Sequence, residues 1–354
     1  MDSSQRMHNA ALPRPPSDHS HHFARAAAIP AMLALTALAA AWASDLPEGT
    51  SGIAAQFPGD VGIENHEAVL FVERFDGTLD EITGRWDDAK RPDIFSLSDE
   101  RPPGSADGHS LLITHVGGDE TGGHLYRRLP EGIDVIHWRF YTRIDADAAP
   151  MHHTSRIGGH HPPQRWPSGG AGTRPGGAQK FSVGVGPHYG PDQSWDFYTY
   201  WHEMRGSPPR GQTWGNTFIR NPELTTTRGE WTCVEVMIKL NDPGQHNGEL
   251  ALWLDGKLAA HLVSGSPTGT WIWDKFTPGH TGPGVRWSDE AGGREEIPGN
   301  LPFEGFNWRT SNNLDINFLW LLVFITQAPE NHVSRVWFDH VVLASGYIGP
   351  IQCP

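Results

Sequence analysis

Between residues 135 and 202 the chain alternates apolar and polar side chains with a period of two, the pattern of β-strands that keep one face in a core. In the first run Ile136, Trp138, Phe140, Thr142 and Ile144 share one face, and His137, Arg139, Tyr141, Arg143 and Asp145 share the other. A second run puts Phe181, Val183 and Val185 inward and Lys180, Ser182 and Gly184 outward. In a third, Trp195, Phe197, Thr199 and Trp201 alternate with Asp196, Tyr198, Tyr200 and His202. The pattern predicts three neighbouring strands whose polar faces line one cleft.

Val69 to Phe75, Ser110 to His115, Trp231 to Leu240, Gly248 to Leu254, Leu314 to Thr326 and Ser334 to Leu343 read as further strands, separated by turn residues. Asn241-Asp242-Pro243-Gly244 is a turn by its own chemistry and makes a hairpin of the two strands around it. The run from Leu314 is apolar enough to be buried on both faces. No stretch resembles a useful amphipathic helix. About ten strands at short spacing predict an all-β antiparallel sandwich or jelly roll, a single domain over residues 68–350 with long Gly/Pro-rich loops. Residues 44–67 lack periodicity and read as a linker or tail. The longest loop, Ser264 to Asn313, carries Trp271, Trp273, Trp287, Phe303, Phe306 and Trp308, and loops of that length are usually functional or mobile.

Composition narrows the partners. The 15 Trp among 354 residues suit a fold that presents aromatic surfaces, and a net charge of -14 argues against nucleic acid, which needs a basic field. Near the start, Arg25 precedes an apolar run from Ala26 to Trp42, and Ala41-Trp42-Ala43 supplies a small-x-small cleavage pattern. Residues 1–43 therefore read as a signal peptide, leaving a secreted protein, extracellular or periplasmic, without a stable membrane anchor. Pro30 interrupts the run, which is short for a span of about 20 residues; an uncleaved anchor is the alternative. Export permits a disulfide between Cys233 and Cys353, and two free thiols fit equally.

The order Gly158-Gly159-His160, Gly169-Gly170, Phe181-Ser182-Val183-Gly184, Tyr198-Thr199-Tyr200, Trp231 with Glu235, Lys239-Leu240-Asn241, Pro243-Gly244, Asn247-Gly248 and Trp253-Leu254-Asp255-Gly256 resembles family 14 polysaccharide lyases. The resemblance implies a concanavalin A-like jelly roll that cleaves glucuronan or alginate. It covers residues 137–256 closely and the closing strands loosely. Two departures stand out. Those lyases carry a lysine after the Gly-Gly pair, where this chain has His160, and a Ser-x-Arg motif, where this chain has Ser182-Val183-Gly184.

Elimination at a uronic acid needs a cation or donor at the C6 carboxylate, a base for the C5 proton and an acid for the leaving O4. Arg139 and Arg143, projecting from one strand face with Tyr141, offer fork-shaped donors for a carboxylate. His160 or His202 titrates near neutrality and suits a base, and Tyr198 or Tyr200 suits an acid, or both roles. Ser182, Lys180 and Glu235 complete the expected substrate contacts. From His137 to Lys180, six basic residues (Arg139, Arg143, Arg156, Arg165, Arg174, Lys180) stand against Asp145 and Asp147, which fits an anionic polysaccharide as partner.

Other chemistries have weaker support. Adjacent histidines on a strand, as in His152-His153 and His160-His161, point to opposite faces, so zinc or copper ligation with His188 or His202 is poorly supported. No cofactor is required; a structural calcium on loop oxygens is compatible, although the chain lacks a dense Asp motif. A retaining glycosidase needs two carboxylates about 5 Å apart, and only Glu203 and Glu235 lie near the expected cleft. A non-catalytic carbohydrate-binding or cell-surface jelly roll, its cations lost and its aromatic faces kept for sugar stacking, is the alternative to a lyase.

Overall fold

The computed structural model describes residues 45–106, 108–164, 170–189, 193–225 and 227–354. The expected leader and Arg165 lie outside the described residues. In chain order the strands are β1 (Val69–Glu73), β2 (Asp88–Lys90), β3 (Phe95–Ser98), β4 (Ser110–Val116), β5 (His124–Ile133), β6 (Val135–Ile144), β7 (Arg156–His160), β8 (Lys180–Tyr189) and β9 (Ser194–Tyr200). Then come β10 (Trp231–Lys239), β11 (Glu249–Leu254) and β12 (Lys257–Leu262), the short strands β13 (Thr268–Ile272), β14 (Lys275–Pro278), β15 (Gly284–Ser288), β16 (Gly293–Ile297) and β17 (Leu301–Pro302), and finally β18 (Ile316–Leu322) and β19 (Val333–Ala344). One six-residue helix, Leu79–Gly84, departs from the strand-only expectation. Its capping box, Thr78 with Glu81, satisfies the first-turn amides and stabilises so short a helix locally.

The larger sheet runs β12-β11-β10-β6-β19-β4-β3, with β1 also on β19; the second runs β2-β5-β18-β7-β8-β9. All pairs within both are antiparallel. The inward faces interdigitate as one core, with Trp138 and Phe140 from β6 meeting Phe181, Val183, Phe197, Leu319 and Leu321 of the second sheet. This is an all-β sandwich, as the alternation predicts. The Gly/Pro-rich stretch after β12 forms a small third sheet, β14-β13-β15-β16 with β17 on β13, whose Trp271, Phe276 and Phe303 join the main core.

The outer face of the larger sheet is covered as well. Residues 45–67, expected as a linker, instead pack there as three 3-10 turns: Ile53, Ala54 and Ile63 close on Val342, Ala344 and Ile348. The C-terminal residues lie alongside, Tyr347 against Trp253 and Ile351 against Tyr141 and Cys233. That cover buries Arg139 and Tyr141 on β6.

Candidate active site

The polar faces of β8 and β9 do form one surface, but β6 belongs to the opposite sheet. Arg139 is fully buried beneath the N-terminal turns, bidentate to Asp60 and donating to the carbonyls of Gly349 and His340. Glu235, also buried, accepts from the Ile348 and Gly349 amides at 2.8 Å each and meets His137 Nδ1 at 3.0 Å. The Tyr141 hydroxyl accepts from the Ile351 amide at 2.9 Å. Arg143 donates to the Gly229 carbonyl, pairs with Glu100 and lies over the Trp337 ring. Arg139, Tyr141 and Glu235 are therefore corrected from substrate contacts to anchors of the covering segments, and Arg143, on the same outer face, is tied to Gly229, Glu100 and Trp337 away from the cleft. The parity assignment was sound; the covered surface on the outer side could not be read from it.

The second sheet carries the cleft. Two adjoining cavities of about 340 and 320 Å³ share Lys180 and Tyr200. The first is lined by Arg156, Ser182, His153, His124 and Lys90 with Phe318, Trp320 and Phe324; the second adds His160, Arg174 and Gln179. No carboxylate lines either cavity among the described residues. Phe318 and Trp320 face this cleft, so β18, expected to be buried on both sides, supplies its aromatic floor.

Strand register organises the polar groups. Across β7 and β8, Arg156 pairs with Gly184, Gly158 with Ser182, and His160 with Lys180. Across β8 and β9, Ser182 pairs with Tyr200 and Gly184 with Tyr198. Arg156 thus stands opposite Gly184, and Lys180 opposite His160. Gly184 leaves the room. A Cβ there would already lie 3.5 Å from the Arg156 side chain and 3.1 Å from the Tyr198 carbonyl.

Arg156 has no ion pair or hydrogen-bonded carboxylate among the described residues, and its Nε is buried without a partner. Its guanidinium carbon sits 5.6 Å from the Tyr198 ring centre and 5.8 Å from that of Tyr200, within cation–π range. Burial weakens its hold on the proton and the two tyrosines oppose this; a guanidinium nevertheless stays charged at any ordinary pH. Burial, and then the Arg156 charge, lower the Lys180 ammonium from 10.5 to about 8. Burial and the neighbouring Tyr198 push the Tyr200 phenol well above its usual range, so it keeps its proton.

His160 is held from both sides by Asn317, which accepts from its amide and donates to its carbonyl at 3.1 Å each. Its Nδ1 lies 2.9 Å from the Pro162 carbonyl; a carbonyl only accepts, so Nδ1 is the donor. His202 lies past the end of β9, against Gly177 and outside both cavities, with Nε2 buried and unpartnered. Asp196 turns away to accept four backbone amides, of Phe197, Phe218, Ile219 and Arg220. Glu203 holds His246 and Asn307.

Sequence reasoning placed Arg156 only in a charge count and missed His153, His124, Lys90 and Trp320 as cleft residues. The alternation Arg156, Gly158, His160 was the available signal for the first. Trp320, His124 and Lys90 lie on β18, β5 and β2, brought beside β7 only by long-range pairing, and His153 sits just before β7, bridged to Phe324. Both cysteines are free, Cys233 buried and Cys353 exposed. No group of three or more His, Cys, Asp or Glu is placed to hold a metal among the described residues, and no described helix is long and apolar enough to cross a membrane.

No family model matches the chain, and no curated protein is similar to it at a significant level. Solved structures are similar in chain path. Alginate lyase Aly36B is 13% identical, with a TM-score of 0.47 over 80% of this chain and 94% of that one. The PL-14 alginate lyase from Aplysia kurodai is 10% identical at 0.48, covering 78% and 98%. The endo-beta-1,4-glucuronan lyase from the fungus Trichoderma reesei is 13% identical at 0.40, covering 78% and 95%.

Proposed function

We propose that the protein is a polysaccharide lyase acting on a uronic-acid-containing polysaccharide, exported as the leader pattern suggests. One observation carries the reading: a desolvated arginine, Arg156, without a carboxylate partner, in a cleft of cations and aromatic rings. A half-buried charge with an unpartnered, buried Nε is costly unless something of opposite sign meets it. A substrate carboxylate is the matching group.

In this reading Arg156 takes the C6 carboxylate and stabilises the negative charge that builds on it as the C5 proton leaves. Lys180, neutral above about pH 8, removes that proton. The C5–H electron pair becomes the C4=C5 double bond, the C4–O4 bond breaks, and Tyr200 donates its proton to the departing O4. Tyr198 braces Tyr200 through a hydroxyl hydrogen bond, while His160 Nε2 and Ser182 orient the sugar. Hydrolysis is disfavoured, because no carboxylate pair lines the cleft among the described residues.

Incubating the protein with alginate, glucuronan and other polyuronates and following the ultraviolet absorbance of an unsaturated uronate tests this directly. Appearance of the double bond is the expected result. Saturable binding without it would instead make the protein a carbohydrate-binding module.

A further inference from the structure

Lys90 and Arg156 lie on the same cleft floor three strands apart, with no second cation between them; the Asp88 carboxylate on the Lys90 strand is taken up by His124. Lys90 on β2 pairs with His124 on β5, His124 with Leu322 on β18, and Trp320, two residues along, with Arg156 on β7. All line the larger cavity. Resting on the reading above, we infer that Lys90 forms a second carboxylate subsite, separated from the Arg156 centre by a stretch that accepts uncharged sugar.

The spacing sets the register of the ligand. Three strand steps of about 4.8 Å place Lys90 about 14 Å sideways from Arg156. A pyranose residue advances a 1,4-linked chain by roughly one strand step, so the two cations address carboxylates about three residues apart. Lys90 makes no ion pair among the described residues and sits exposed on the edge strand; the one neighbouring carboxylate on its strand face, Asp88, is held by His124 Nε2 at 3.3 Å.

The intervening surface is neutral and flat-faced. The His124 ring meets Trp320 edge-on at 5.3 Å and 88°. Burial holds the His124 imidazole down to about 4, against the hydrogen bond to Asp88, so it carries no charge at neutral pH. Trp320, Leu322 and Phe324 continue the apolar floor. Such a floor stacks on the C–H faces of a sugar and asks nothing of its carboxylate. An edge lysine also discourages strand pairing with another chain, and that bland role makes no demand on ligand length.

Length dependence separates the two. Alginate and glucuronan oligosaccharides, dimer to hexamer, are titrated calorimetrically and assayed for initial rate with the wild type, Lys90→Met and Lys90→Arg. The wild type should gain affinity stepwise at about four residues. Lys90→Met should remove the step, weakening long oligomers about two- to five-fold, the scale of a solvent-exposed ion pair, with dimers and kcat unchanged; Lys90→Arg should keep it. Oligomers whose inner carboxylates are methyl-esterified should bind within about two-fold of the acidic ones. Equal affinities for wild type and Lys90→Met at every length, or equal weakening of dimers and hexamers, overturns the subsite. A length step without double-bond formation leaves the subsite standing and overturns the lyase.

Discussion

Arg156 on β7 stands directly across from Gly184 on β8, and its side-chain stem runs past the open face of the glycine to set the guanidinium over the Tyr198 ring. Cross-strand partners share a face of the sheet, so a charge can be supplied from either strand to nearly the same place.

Arg156→Gln should lower kcat/KM by about 10²- to 10³-fold, the scale for removing a preorganised group that stabilises developing charge. Adding Gly184→Arg to Arg156→Gly should recover part of the activity, because the side chain returns to the same volume from the other strand. Steady-state kinetics on a polyuronate decide it; a double variant no better than Arg156→Gly would argue that the position across the strand pair is not interchangeable.

Tyr200→Phe should cost about 10²-fold or more in kcat while KM stays near the wild-type value, since a general acid acts mainly in the transition state. Tyr198→Phe should cost less. Full activity of Tyr200→Phe would remove it from the reaction.

The pH profile reports Lys180. Burial and then the Arg156 charge lower its pKa to about 8, and only the neutral amine accepts a proton, so kcat/KM should rise with pH through about 8 and level off above it. Tyr200 stays protonated over that range. In Arg156→Gln the rising limb should move to higher pH, because one cause of the depression is gone. Lys180→Met should abolish the limb, and an unchanged profile in that variant would assign the base elsewhere, with His160 next in line.

The Arg139–Asp60 pair should matter for stability and not for chemistry. Asp60→Ala leaves a buried guanidinium without its partner, and breaking such a pair costs about 3–5 kcal/mol; denaturant unfolding measures it, with kcat per folded molecule unchanged. Burial alone would push the Asp60 carboxyl up, but the Arg139 charge and the hydrogen bonds from His340 and Arg139 outweigh it and hold it down at about 2. The folded pKa is depressed, so this contribution is present above the ordinary value of 3.8 and is lost as pH falls towards 2. Acid unfolding of wild type should therefore be steeper across that window than that of Asp60→Ala.

What the sequence determined by itself was local: which stretches are strands, and which residues of each strand share a face. Phe140, Phe181 and Phe197 are buried as their parity requires, and Tyr198 and Tyr200 share the Arg156 face. Alternation is a property of one strand, set by backbone geometry, and survives whatever that strand pairs with. Tertiary structure alone decided which sheet each strand joins and what covers its polar side. Arg139 and Arg156 look alike in sequence, each an arginine alternating with residues of a strand. One lies under the N-terminal turns and is neutralised by Asp60, 79 residues away; the other opens into a cleft with no carboxylate to meet it among the described residues. A polar face shows only that a strand is not packed on that side by apolar neighbours, and whether water, a substrate or another segment of the chain meets it depends on contacts between residues far apart in sequence.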